Sequence, residues 1–182
     1  MKRTSFARWP CSIARTVDLL GDWWTPLVMR EAFYGVTRFE DWQRNLGIGR
    51  NVLTERLKRL VAEQMLDRQP YQSNPERFEY RLTEKGRDFF GVLMAMVRWG
   101  DRWLDGERGA PVRVRHLNCG QLTHAEVVCA RCGEPLRHGE VQGELGPGFP
   151  AKLAELPLVR ARFGRRRGKN SARRATPAEA AS

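Results

Sequence analysis

Long apolar runs are missing from this sequence. No stretch approaches the roughly 20 residues that a bilayer-crossing helix needs. Arg15 and Asp18 break the apolar positions near the N-terminus, which is unlike a signal peptide. The chain is therefore expected to be cytoplasmic. Histidine occurs three times and cysteine four times in 182 residues. Four cysteines permit two disulfides, but three of them sit late in the chain beside a histidine at metal-ligand spacing, so a disulfide scaffold is the weaker reading. Acidic residues are also scarce: 21 Asp and Glu against 32 Lys and Arg leave a formal charge of +11. That excess favours a polyanionic partner, nucleic acid before membrane. No Ser/His/Asp set, glycine-rich phosphate loop or pair of carboxylates in an evident cleft is present, so an enzyme is not expected.

What is there falls into blocks. Residues 12–104 carry a dense helical pattern, residues 106–150 are rich in Gly, Pro, Cys and His, and eight basic residues lie between Arg160 and Arg174. The expected organisation is a DNA-binding and dimerisation domain over 1–105, a small Cys/His module over 106–150, and a basic, disordered tail over 151–182. In the first block the pattern predicts helices over Ser12–Leu20, Thr25–Tyr34, Arg38–Asn45 and Arg50–Gln64, with Gly21, Gly35 and Gly47 as breaks. Two short strands, Asp67–Tyr71 and Phe78–Leu82, follow around a polar turn, and a helix from Thr83 to Leu104 ends the block. Helix, turn, helix, then a β-hairpin is the order of a winged helix. In the last helix, Phe90, Leu93, Val97 and Leu104 make one apolar row, and Phe89, Val92, Met96, Trp99 and Trp103 make a second. A helix apolar on two faces needs two partners, its own domain and a second copy of the chain, which predicts a homodimer.

Several runs share an order and spacing: Cys11-Ser-Ile-Ala-Arg, Gly21-Asp-Trp-Trp-Thr-Pro-Leu, Arg38-Phe, Gly49-Arg-Asn-Val-Leu-Thr-Glu-Arg-Leu-Lys-Arg-Leu, and Glu79-Tyr-Arg-Leu-Thr-Glu-Lys-Gly. Together they resemble the HxlR-type transcriptional regulators from about residue 11 to 104. Ser12 stands where that family commonly has proline, and the region after 105 lies beyond the core family domain. The resemblance implies a dimeric winged-helix repressor or activator that binds an inverted repeat near a promoter. It also suggests a cysteine sensor of oxidants or electrophiles at Cys11, which lies between Arg8 and Arg15 at the start of a helix, a setting that favours a reactive thiol. The plainer reading of Cys11 is a small packing residue.

On the fourth helix, Leu53, Leu57, Leu60 and Val61 share one face and leave Arg50, Asn51, Thr54, Glu55 and Lys58 on the other. The second helix of a helix-turn-helix enters the major groove with its N-terminal residues nearest the bases. Arg50 can pair with guanine and Asn51 with adenine, and Thr54 suits a base edge or thymine methyl. Lys58 and Arg59 suit phosphates, and Asn74 and Arg77 at the wing suit the flanking backbone or minor groove of double-stranded DNA.

His116-Leu-Asn-Cys119-Gly and Cys129-Ala-Arg-Cys132-Gly are two x-x-spaced ligand pairs, each followed by glycine. This is the layout of a zinc ribbon, four ligands around a structural Zn²⁺. His124 and His138 compete with His116 for the fourth place. A redox Cys129-x-x-Cys132 lacks the strand-helix-strand frame of a thiol-disulfide oxidoreductase. The expected fold is thus mainly α with a small β-hairpin wing, a dimerising long helix and a zinc-ribbon-like C-terminal module. The expected function is a sequence-specific transcriptional repressor, with a non-regulatory architectural DNA-binding protein as the alternative.

Overall fold

The computed structural model describes residues 4–164, so the basic tail beyond Gly164 lies outside the described residues. Two compact units meet between Pro135 and Leu136. The first begins with α1 (Ser12–Leu20), α2 (Trp24–Phe33), α3 (Phe39–Leu46) and α4 (Arg50–Ala62). The antiparallel strands β1 (Leu66–Ser73) and β2 (Glu76–Leu82) follow, then α5 (Glu84–Asp88) and α6 (Phe90–Trp103). This is the winged-helix order. A single bridge between Arg38 and Glu79 ties the entrance of α3 to the edge of the hairpin.

The core of this block forms where the helical pattern puts its apolar residues. Val28 and Met29 of α2, Trp42 of α3, Ile48 of the turn, and Leu53, Leu57 and Leu60 of α4 are all buried, with Met65, Leu66 and Phe89 closing the cluster. Each such side chain contributes about 1.5–3 kcal/mol by leaving water. Trp42 is the largest of the fully buried side chains, and its indole N–H donates to the Val28 carbonyl at 3.1 Å, so its one polar atom is satisfied. Gly47 ends α3 in the left-handed conformation, with φ 61 and ψ 21, and lets the chain turn sharply so that Ile48 enters the core before α4 begins.

Three features differ from the sequence expectation. The hairpin turn is two residues, Asn74-Pro75, because strand pairing extends out to Ser73 and Glu76. Pairing slips between Pro70 and Gln72, which makes Tyr71 a bulge. The helix expected over Thr83–Leu104 is interrupted at Phe89. Its start is as expected: the Thr83 hydroxyl accepts from Gly86 N–H at 3.0 Å, an N-cap.

After a 3₁₀ turn at Gly106–Arg108 come two two-residue strands, β3 (Val114–Arg115) and β4 (Leu122–Thr123), paired antiparallel. In the second unit, residues 151–163, read from sequence as part of a disordered tail, form two short helices, α7 (Ala151–Ala154) and α8 (Pro157–Phe163). Pro157 opens α8 at a position where its missing N–H costs least, and Phe163 packs on Phe149 at 6.2 Å between ring centroids. No helix among the described residues is long and apolar enough to cross a membrane.

Candidate nucleic-acid interface

Burying Leu53, Leu57 and Leu60 turns the opposite face of α4 outward, and Arg50, Asn51, Glu55 and Lys58 are exposed there. No acidic side chain occupies the first turn of α4, so the partial positive charge of the helix end and the Arg50 guanidinium add in the same place. Thr54 is half-buried and its hydroxyl donates to the Arg50 carbonyl at 2.8 Å. Lys58 pairs with Glu55 at 3.3 Å, both side chains being more than 60% exposed, so water and salt screen the pair and Lys58 exchanges it readily.

The hairpin faces this helix across a groove. Arg50, Thr54 and Lys58 line one side, and Arg68, Tyr71 and Arg77 line the other. Glu40 and Glu76 are the acidic residues of the lining. Arginines stack on aromatic rings around it: Arg50 lies 5.2 Å from the Phe39 centroid, Arg68 3.3 Å from Phe78, and Arg38 4.7 Å from Tyr71. Stacking holds a guanidinium plane by its face and leaves its N–H edge free to donate. Asn74 and Arg77 are exposed at the wing, and the Asn74 carbonyl accepts from Gln72 Nε2 at 3.0 Å.

The predicted residues Arg50, Asn51, Thr54 and Lys58 are thus brought onto one outer surface, with Arg77 across the groove. Arg59 is placed elsewhere. Its guanidinium donates to the Asp18 carbonyl of α1 and lies 3.6 Å from the Asp18 carboxylate. Helical geometry already holds the signal, since Arg59 is about 180° around the helix from Arg50 at 3.6 residues per turn. Arg38, Arg68 and Tyr71 were missed by sequence reasoning. Strand alternation does not single out Arg68, which shares the β1 face of the buried Leu66 two residues earlier, and the bulge that sets Tyr71 has no local signature.

Asp22 was also missed. Its Oδ1 accepts from the N–H groups of Trp24 at 2.9 Å and Thr25 at 3.2 Å, and its Oδ2 pairs with Arg56 of α4 at 3.0 Å. It therefore caps α2 and ties that helix to α4.

Cys11 is exposed immediately before α1, and the nearby Arg15 side chain donates to the Trp9 carbonyl and the Ser12 hydroxyl, each at 3.2 Å. The late cysteines and histidines come together in pairs. His116 Nδ1 lies 3.3 Å from Cys119 Sγ, while Cys129 faces Cys132. Among the described residues, no group of three or more His, Cys, Asp and Glu is gathered around one metal-holding point. The Arg131 and Cys132 backbone N–H groups and the Cys132 thiol all hydrogen-bond Cys129 and hold its thiol below the usual range. His124 instead binds Glu126 at 3.0 Å; that hydrogen bond, with Arg98 at 3.6 Å, holds the Glu126 carboxyl below its ordinary value.

A buried helix-turn-helix core, an outward cationic helix face and an arginine-bearing hairpin define a winged helix-turn-helix transcriptional regulator. Residues 19–108 match the HxlR-like helix-turn-helix family. Uncharacterized HTH-type transcriptional regulators of Mycobacterium bovis and Mycobacterium tuberculosis are each 48% identical to this chain over 143 residues, covering 79% of it and 90% of their own length. An alignment of that length runs beyond residue 108. Among solved structures, the candidate transcription factor PA1607 superposes with a TM-score of 0.70 at 34% identity, covering 78% of this chain and 99% of that one. PA1374 from Pseudomonas aeruginosa gives 0.57 at 36% identity, covering 78% and 97%. The chain belongs to the HxlR-like helix-turn-helix family of DNA-binding transcriptional regulators.

Proposed function

We propose that this protein binds an inverted repeat as a homodimer, with α4 of each protomer in successive major grooves, and represses the promoter it occupies. The observation that carries this reading is the cationic groove between α4 and the wing. Arg50, Lys58, Arg68 and Arg77 line it and Asn51 is exposed beside Arg50, which supports base contacts from Arg50 and Asn51 and phosphate contacts from the other three. Support for the second copy comes from apolar surface that the chain leaves uncovered. On α6, Trp99 is 59% and Trp103 62% exposed, with Met96 and Phe90 near half, and Ile13 and Val17 of α1 are exposed as well. A lone chain seldom leaves so many large apolar side chains of one helix wet. Cys11, exposed at the head of α1, is the residue through which electrophiles would release the DNA.

Selection of random DNA with the purified full chain tests the reading. The expected motif is palindromic, with half-sites about 10–10.5 base pairs apart, centre to centre, or a multiple of that. Arg50→Ala should weaken binding to it by about 1–3 kcal/mol and relax one base position. Recovery of DNA without any motif would refute sequence-specific regulation. Derepression of a reporter on deleting the gene is expected, and a fall in transcription would reverse the sign of control. Cys11→Ala should bind like wild type and ignore aldehydes and quinones; release of the variant by those reagents would remove Cys11 from the switch.

A further inference from the structure

Residues 114–135 hold two short hairpins of the same construction. In the first, His116 N–H donates to the Gln121 carbonyl at 2.9 Å, Gly120 N–H returns to the His116 carbonyl at 2.8 Å, and Arg115 pairs with Leu122. In the second, Cys129 N–H donates to the Glu134 carbonyl at 2.8 Å, Gly133 N–H returns to the Cys129 carbonyl at 2.8 Å, and Val128 bridges Pro135. Every residue of the first hairpin thus has its equivalent at the same offset in the second, with His116 matching Cys129, Cys119 matching Cys132 and Gly120 matching Gly133. Both glycines are left-handed, with φ of 71 and 76, a conformation that folds the backbone back under the ligand pair and disfavours any side chain.

The side chains on the first turn are already paired as a tetrahedral metal would need them. Zinc holds sulfur at about 2.3 Å and imidazole nitrogen at about 2.0–2.1 Å, so two such ligands on one ion stand about 3.5 Å apart. The His116 Nδ1 to Cys119 Sγ separation is 3.3 Å. In the second turn Cys129 and Cys132 hold the positions of His116 and Cys119, and the same Gly N–H to carbonyl bond at 2.8 Å closes the turn beneath them. His124 is engaged with Glu126, and His116 is the histidine that stands beside a cysteine sulfur, which makes it the nitrogen ligand.

The same stretch lacks a core of its own. No described side chain from residue 106 to 135 is buried, and Leu117 and Val127 are mostly exposed. Two small hairpins without apolar burial need a staple. We infer that His116, Cys119, Cys129 and Cys132 bind one Zn²⁺ between the two hairpins. The ion draws the two ligand pairs together, and the three sulfurs bind as thiolates and release their protons to water. Four protein ligands fill a tetrahedral ion, so the site is structural and holds no open position for catalysis. The inference does not depend on the DNA-binding reading.

The test uses the full chain purified under reducing conditions without added metal. Elemental analysis should find one zinc per chain. Cys132→Ser should reduce it to background, while His116→Cys, which keeps four ligands, and His124→Ala should retain it. Should Cys132→Ser fail to fold, cobalt titration of the metal-stripped wild type decides. Ligand-field bands of a tetrahedral thiolate site, bleached by zinc, support the assignment. Wild type that holds neither zinc nor cobalt, or zinc that persists in Cys132→Ser, overturns it.

Discussion

Replacing Asp22 by alanine should destabilise the protein by about 2–4 kcal/mol, through two separable losses. The first is the cap: Asp22 Oδ1 accepts from Trp24 N–H and Thr25 N–H, and an N-cap carboxylate is worth about 1 kcal/mol. The second is the pair with Arg56, in which the side chains are only 21% and 23% exposed. Arg56 Nε is already buried without a hydrogen-bond partner among the described residues. Stripping away the carboxylate would leave further guanidinium donors unsatisfied, at about 1–3 kcal/mol. Asp22→Asn separates the two, because asparagine caps as well as aspartate and carries no charge. Urea unfolding of the full chain, followed by circular dichroism, reads the difference. Protein concentration must be held fixed, since self-association makes apparent stability depend on it. With a slope of about 2 kcal/mol/M, the alanine midpoint should fall by about 1–2 M and the asparagine midpoint by about half to three-quarters of that. An alanine shift below about 0.3 M would refute the reasoning, and equal shifts for both variants would remove the cap from it.

Arg59→Ala should cost about 1–3 kcal/mol of stability by leaving the buried Asp18 short of a partner, with no change in the salt slope of DNA binding. Lys58→Ala should do the reverse, reducing that slope by about 1 while stability moves by less than about 0.5 kcal/mol; identical behaviour of the two variants would contradict the assignment of faces. Gly86→Ala places a Cβ 2.0 Å from the Met65 carbonyl oxygen, a backbone atom that cannot swing aside. A loss of about 3 kcal/mol is expected, and a thermal midpoint like that of wild type would show that α5 can slide. Glu126 should titrate below an ordinary glutamate by NMR, chiefly because His124 hydrogen-bonds it and Arg98 lies near. Its folded-state value is lowered, so its stabilising contacts are present above the ordinary value and vanish as pH falls through the lowered one. A midpoint that does not rise in His124→Ala would count against this cause.

The helical block was legible because its signals are local. Gly21 and Gly47 mark breaks, apolar spacing gives each helix its buried side, and Thr83 stands where its hydroxyl caps α5. The outer face of α4 followed from the same 3.6-residue period. Legibility failed wherever a partner distant in sequence decides the outcome. The helical period already turns Arg59 away from Arg50, but that its partner is Asp18 of α1, 41 residues away in the chain, has no local signal. Phe89 was placed in one apolar row of a continuous helix with Val92, Met96, Trp99 and Trp103, but it closes the core at 8% exposure while those four are not buried, and the helix breaks there into α5 and α6. The hairpin turn was read as six residues because polar side chains look like loop, whereas backbone pairing continues beneath them to Ser73 and Glu76.

Two aspartates bind α4 in addition to its core packing, Asp18 of α1 and Asp22 just past its end. Asp18, near the end of α1, accepts from the Phe6 N–H at 3.0 Å and the Ser5 hydroxyl at 3.4 Å, and holds Arg59 through both its carboxylate and its carbonyl. Asp22, past the end of α1, holds Arg56 while capping α2. Arg56 and Arg59 are three residues apart on one side of α4, away from the Arg50 face. The end of α1 and the residue that caps α2 therefore hold α4 on the side away from Arg50, at two partly buried charge contacts. A displacement of α1 must either carry α4 with it or break contacts costing about 1–3 kcal/mol each. Since 1.4 kcal/mol is tenfold in an equilibrium, losing either contact shifts the balance between the docked and undocked end of α1 by about five- to a hundredfold.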